Sequence, residues 1–316
     1  MTRAATFAGW ALDPGTLGFH VPFAEYVAVS AASGYDVIEV PVAELVALGP
    51  RRLTELCARH GVRAGVFSCP WSGPYNGSVP DEVFEQRLRD IPRLFALIAE
   101  AGGTRVSAFF NGQRPGMSAL TRGRLADRAG RLAAQAARHG LRMCLELNDT
   151  HHLAAAPEIL RTARELTGHR PHLLVDTFHL YRAGLGPEWL NTLPDDAIGW
   201  LHVSGIADGT PRTADSGPRT APFRGRQSTA DLLTAAHRAG YRGPLSIEVL
   251  PAPEPGTDLR THATGLLEVA RRGLTRLETV AGWAGPPGVP HPHAAGAVSG
   301  PARITTAAPF GPGGAG

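Results

Sequence analysis

Cysteine is scarce in this 316-residue chain: Cys57, Cys69 and Cys144 lie far apart with no C-x-x-C pair. Such an odd, scattered set excludes a disulfide framework and a zinc-finger site, and it favours a reducing cytoplasm. Long apolar runs are missing as well. None approaches the roughly 18 residues that span a bilayer, and "MTRAATFAGWALDPG" holds too short an apolar stretch for a secretory signal. Neither sign of charge is in excess. A net charge of +3, from 31 basic and 28 acidic residues, tolerates an anionic small molecule but does not announce a nucleic-acid binder. The expectation is a cytoplasmic globular protein with a small-molecule partner, no nucleic acid and no membrane.

What is present is a regular alternation. Strand-like stretches recur as "AATFAGWAL", "YDVIEV", "RAGVFSC", "TRVSAFF", "LRMCLEL", "HLLVD", "IGWLHVS" and "PLSIEVL". Helical patterns such as "DEVFEQRLRDIPRLFALIAEAG" and "LADRAGRLAAQAARHG" separate them. Several of these helices end in a glycine just before the next strand: Gly34, Gly61, Gly102, Gly140 and Gly240. Eight such units fit a closed (β/α)8 TIM barrel, whose usual size is about 250 residues. A doubly wound open sheet is the alternative, but no G-x-G-x-x-G turn follows the first strand. Near Trp283 the composition turns to Pro, Gly and Ala, with Arg303 the sole charged residue of "GPPGVPHPHAAGAVSGPARITTAAPFGPGGAG". Residues 1–280 are therefore read as one barrel domain and 281–316 as a disordered tail.

In such a barrel the chemistry sits at the C-terminal strand ends. Strand five ends on Glu146 and Asn148, strand six on Asp176 with His179 just beyond, strand seven carries His202 and strand eight Glu248. Each lies inside or beside an apolar run, where an unpaired carboxylate costs several kcal/mol, on the order of a buried unpaired ion. One divalent cation resolves that cost for all four. Three carboxylates and one imidazole suit Mn, Mg or Co, with Zn compatible, and leave about two positions open on an octahedral ion. Other candidates near the mouth are Glu39, ending strand two, for substrate hydroxyls, Trp71 and Tyr75 as apolar walls, and His151 and His152 after strand five. Phe109 and Phe110 read as packing.

The pattern of "LEL", "VDTFH", "LHVS" and "GYRGPLSIEV" resembles the xylose-isomerase-like TIM-barrel superfamily. That group holds sugar epimerases, hydroxypyruvate isomerase, inosose dehydratase and 3-dehydroshikimate dehydratase. The spacing of 26 residues between Asp176 and His202 is similar too. The resemblance implies metal ligation by Glu146, Asp176, His202 and Glu248, and proton transfer by Glu146 and Glu248 through an enediolate. It further implies that His179, in a D-x-x-H position, meets a substrate oxygen. It implies an isomerase or epimerase of a small polyhydroxylated carbonyl compound, with a metal-dependent dehydratase as the alternative, and homo-oligomers by analogy only. An abasic-site endonuclease shares the fold but needs a DNA-facing basic surface and more histidine ligands.

Three departures from the resemblance are visible. Ketose epimerases of this type place an Arg six residues after the metal His, where this chain has Asp208; the dehydroshikimate dehydratases place a base His where it has Asn148. Their R-x-x-P-G-x-G segment is matched by "RTAPFRG", with Arg219, Pro222 and Gly225 in register but Phe223 in place of a Gly. This long loop, about Gly205 to Gln227, also carries Arg212, Arg224 and Arg226 and reads as a lid or specificity element. Arg219 is its candidate for gripping a substrate carboxylate or hydroxyl.

Overall fold

The computed structural model describes residues 6–68, 77–110, 120–213 and 217–283. Trp71, Tyr75 and Cys69 lie outside the described residues, as does the Pro/Gly/Ala-rich segment from 284. The eight expected strands all form: β1 Trp10–Leu12, β2 Val37–Pro41, β3 Arg63–Ser68, β4 Arg105–Phe110, β5 Arg142–Leu147, β6 His172–Asp176, β7 Ile198–Val203 and β8 Leu245–Ile247. Every neighbouring pair is parallel, and β8 closes back on β1, so the (β/α)8 barrel is confirmed. Helices such as Asp81–Glu100, Arg122–Ala137 and Ala156–Thr167 link successive strands, and Leu259–Ala281 follows the last one. Gly61, at φ 69°, and Gly140, at φ 71°, end their helices in the left-handed conformation that a Cβ disfavours. Among the described residues no helix is long and apolar enough to cross a membrane.

The period-2 alternation of strand side chains splits the apolar residues into two clusters. In β5, Met143, Leu145 and Leu147 join the large core under the helices, whereas Cys144 joins a separate inner cluster. That inner cluster comprises Ala11, Val37, Val66, Cys144, Leu174 and Trp200. It plugs the barrel, and the Trp200 indole, fully buried, is its bulkiest member. A methyl group on Gly65 would collide with that indole and with Val37, so the third strand must yield space to the seventh. The plug is the floor on which the strand ends stand.

Gly65→Ala is expected to lower stability by about 1–3 kcal/mol through overpacking, seen as a lower urea midpoint at unchanged m-value. Gly123→Ala, where no atom lies within 4 Å of the new methyl, is the control and should not lower it.

Candidate functional site

Two residues further along each strand, the apolar plug gives way to ionisable groups. Ala11 is followed at that spacing by Asp13, Val37 by Glu39, Cys144 by Glu146, Leu174 by Asp176, Trp200 by His202 and Ser246 by Glu248. The pleat therefore aims all six inward at the C-terminal end of the barrel. Asp13, Glu39, Asp176 and His202 are buried, and Glu146 and Glu248 retain only 18% and 12% of their side-chain exposure. Glu146, Asp176 and His202 each offer a ligand atom within 4.8 Å of the other two. Glu248 joins them through His202, whose Nδ1 lies 3.1 Å from Glu248 Oε2. His179 sits between Glu146 and Asp176, with Nε2 at 3.6 Å from Glu146 Oε1 and 3.4 Å from Asp176 Oδ2.

Local geometry holds these groups rigidly. Asp176 Oδ1 accepts the Phe178 N–H at 2.8 Å, capping the helix Thr177–Ala183 that carries His179. Thr177 Oγ1 accepts the Ser204 N–H at 3.0 Å and so ties the end of β6 to the end of β7. Asp176 Oδ1 is thereby spent on the backbone, and Oδ2 is left for the site.

The long loop supplies a cation. Gly205–Ile206 pairs antiparallel with Arg219–Thr220 in a short ribbon over the barrel mouth. From it the Arg219 Nη1 reaches Glu248 Oε2 at 2.5 Å and Asp176 Oδ2 at 3.2 Å, while its guanidinium lies 4.5 Å above the Phe178 ring. The other loop arginines do not follow it: Arg212 lies over the Tyr181 ring, and Arg224 and Arg226 are exposed. Of the four loop arginines, one is thus buried in the site and three lie at the surface. Phe223 has φ +66°, the conformation a glycine would take, and its ring covers Gly273 of the last helix. Its N–H donates to Thr229 Oγ1 at 3.0 Å. The departure at this position keeps the backbone shape and adds a packing contact.

These contacts push the titratable groups apart. Burial lifts the Asp13 carboxyl well above the usual range, with the charges of Glu39 and Glu248 adding to it. Burial also raises Asp176, against the opposing pull of Arg219 and His179. At Glu248 burial is outweighed by Arg219 and then His202, so its carboxyl falls well below the usual range. At His202 burial is likewise outweighed, here by Glu39 and Glu248, and the imidazole is raised well above its ordinary value. Burial and close charge pairs thus move neighbouring groups in opposite directions within one cleft, a pattern that functional sites share with buried ion-pair networks.

Sequence reasoning placed Glu146, Asp176, His179, His202, Glu248 and Arg219, and the structure brings these six together. Glu39 is different. Expected to meet substrate hydroxyls, it is instead wholly buried beneath His202, where Oε1 accepts from Trp200 Nε1 at 2.7 Å and Ser246 Oγ at 2.6 Å. Its Oε1 contacts there are all to the protein's own side chains. Asp13 was not anticipated, although an acid directly after an apolar strand was a readable signal in "WALD". His152 Nε2 contacts Leu120 O at 3.0 Å, and its neighbour His151 is exposed.

The donor set fits a divalent cation. Asp176 Oδ2 makes no hydrogen bond and meets only the Arg219 and His179 ion-pair contacts, and His202 Nδ1 has only Glu248 Oε2 beside it, so both keep capacity for a ligand. Oxygen donors with one nitrogen match a hard or borderline ion and not a thiolate-seeking one. Sharing the site, Arg219 and a cation would both serve the same carboxylates.

Comparison with known proteins agrees with this architecture. A family model described as a xylose isomerase-like TIM barrel matches residues 27–268. A 3-dehydroshikimate dehydratase of Pseudomonas putida is 26% identical over 227 residues, which is 69% of this chain; the chain spans only 34% of that relative's length. A solved xylose isomerase domain protein of Alicyclobacillus acidocaldarius is 25% identical, with a TM-score of 0.69 over 85% of this chain and 99% of that one. The IOLI protein, solved with a zinc atom bound, is 16% identical, with a TM-score of 0.68 over 86% of this chain and 98% of that one.

In chelator-treated protein at pH 7, Arg219→Ala should cost about 3–5 kcal/mol, because it leaves buried carboxylates without their counter-charge. Since the Glu248 pKa is depressed by folding, the margin due to this pair is present above the ordinary carboxylate range and fades as pH falls through the depressed value. Urea midpoints across pH measure both. Arg226→Ala, at the surface, should change them by no more than about 0.5 kcal/mol.

Proposed function

The chain belongs to the xylose isomerase-like TIM barrel family, and we propose that it is a divalent-metal-dependent isomerase or epimerase of a small polyhydroxylated carbonyl compound. The observation that carries this reading is the convergence of Glu146, Asp176 and His202, each offering a ligand atom within 4.8 Å of the other two, with Glu248 beside His202. Glu146, Asp176, His202 and Glu248 would hold the ion, with Mn, Mg or Co the best matches and Zn compatible. Bound there, it would polarise a substrate carbonyl and stabilise the charge that develops on loss of the adjacent proton.

The chain's own residues then divide the remaining work. Glu146, the most open of the four, would take the carbon-bound proton. Glu248, held by Arg219 and His202, would be the poorer acceptor. Strands β6 and β7 separate the two glutamates, so they approach a substrate from different sides, as proton removal and return on opposite faces require. His179 would donate to a substrate oxygen between Glu146 and Asp176, and Arg219 would bind a carboxylate or hydroxyl. The chain contains no lysine, all 31 basic residues being arginine. A Schiff base to a lysine, the other common way to acidify such a proton, is therefore closed to it.

A second reading is a dehydratase of the 3-dehydroshikimate or inosose type, using the same proton removal and then expelling a β-hydroxyl. Arg219 seated in the site and the Pseudomonas putida relative favour it. Asn148, which cannot accept a proton, weighs against dehydroshikimate as its substrate.

The test is exchange in D2O. Protein stripped with chelator and reloaded with Mn, Mg, Co or Zn is incubated with ketoses, inososes and dehydroshikimate. Deuterium should enter next to the carbonyl only in loaded protein, and Glu146→Gln should slow it by about 10²–10⁴-fold. A rearranged or epimeric product supports the first reading, and a conjugated chromophore supports the second. Exchange that is indifferent to metal would sink both.

A further inference from the structure

Glu39, like Asp13, is a buried acid that this mechanism leaves unused. It is wholly buried, yet Oε1 gathers three donors: the Trp200 Nε1–H at 2.7 Å, the Ser246 hydroxyl at 2.6 Å and His202 Nε2 at 2.7 Å. An indole nitrogen can only donate and an ionised carboxylate can only accept. A carboxylate oxygen 2.7 Å from an imidazole nitrogen requires the hydrogen on that nitrogen, since two lone pairs at this distance repel. The proton at this contact therefore belongs to His202 Nε2. A half-turn of the imidazole would trade Nε2 for a carbon and break the bond. The ring is thus fixed with Nδ1 toward Glu248 and the ligand cluster.

The position of Glu39 is itself braced. Its backbone N–H donates to the Tyr26 hydroxyl at 3.2 Å, and that hydroxyl donates to Leu12 O at 2.5 Å. Trp200 and Ser246 stand two residues before His202 and Glu248 on their strands. The groups that orient Glu39 are hence built into the same strands as the ligands it serves.

We propose that Glu39 is a positioning residue that acts through His202, fixing Nδ1 as the nitrogen presented to the metal and adding negative charge behind the ring. The inference rests on the metal-site reading above. A carboxylate behind a ligating histidine sets its tautomer and raises its basicity, and loss of such a partner typically weakens metal binding by about 10–100-fold. Glu39 touches neither ion nor substrate in this arrangement.

Glu39→Gln preserves shape and an acceptor for Trp200 while removing the charge. Titration of chelator-stripped protein with Mn(II) should show a dissociation constant raised about 10–100-fold, with a changed visible absorption band of the Co(II)-loaded form. The effect should vanish in a His202→Gln background, because the route through the imidazole is then gone. A merely structural role would lower the urea midpoint of stripped protein and leave the Mn(II) constant and Co(II) band where they were. Should the variant not fold, ¹⁵N spectra of the histidines in Zn(II)-loaded wild-type protein decide the matter. They should show His202 with the hydrogen on Nε2, and a hydrogen on Nδ1 would overturn the assignment. Wild-type protein that binds Mn(II) with the same constant as Glu39→Gln overturns this inference alone. Wild-type protein that binds no divalent ion overturns the metal reading and this inference with it.

Discussion

The mouth of this barrel is organised by an electrostatic constraint: five carboxylates converge on a space that water barely reaches. Asp13, Glu39, Glu146, Asp176 and Glu248 enter from five strands, and their mutual repulsion in a medium of low dielectric must be offset by positive charge close by. His202 and Arg219 supply part of it. The rest is the opening that a divalent ion fits. Nearly every unusual contact in the region follows from this balance, including the three donors on Glu39 and the bridging of Asp176 and Glu248 by one guanidinium.

The barrel and the loop contribute differently to that balance. Strand residues are fixed by pairing on both sides and cannot be re-aimed without slipping a register. Arg219 arrives from a ribbon of two-residue strands, and its place depends on the stacking over Phe178 and a backbone bond from its N–H to Leu250 O at 2.8 Å. The acids are thus a permanent feature of the fold, and the countercharge is partly a feature of the loop. Chemistry shared by a large family and selectivity particular to one chain can separate along this line.

Much of this was legible in the sequence because two simple periods carry it. Alternation of apolar stretches with glycine-capped helices gave the eight strands, and reading the last residues of strands five to eight found Glu146, Asp176, His202 and Glu248. His179 was read just beyond the end of strand six and took its role from the resemblance to known enzymes, which also singled out Arg219 within its loop. Glu39 was identified as important but given the wrong partner. Its contact with His202 spans 163 residues of chain, and no local pattern says whether an acid at a strand end faces up toward substrate or down onto a neighbour. Asp13 was missed because the first strand is only three residues long, too short for alternation to stand out. Phe223 read as a break in a motif, yet the backbone there adopts the glycine-like shape and the mismatch is absorbed by Gly273.

That last contact has a mechanical meaning. Where a glycine would leave the loop as a hinge, the Phe223 ring bolts it to Gly273 on the long helix Leu259–Ala281 at the barrel's outer wall. Only three residues lie between Arg219 and Phe223. The loop segment that carries the buried Arg219 is therefore anchored on two sides, to the barrel through Leu250 O and to the outer helix through the Phe223 ring.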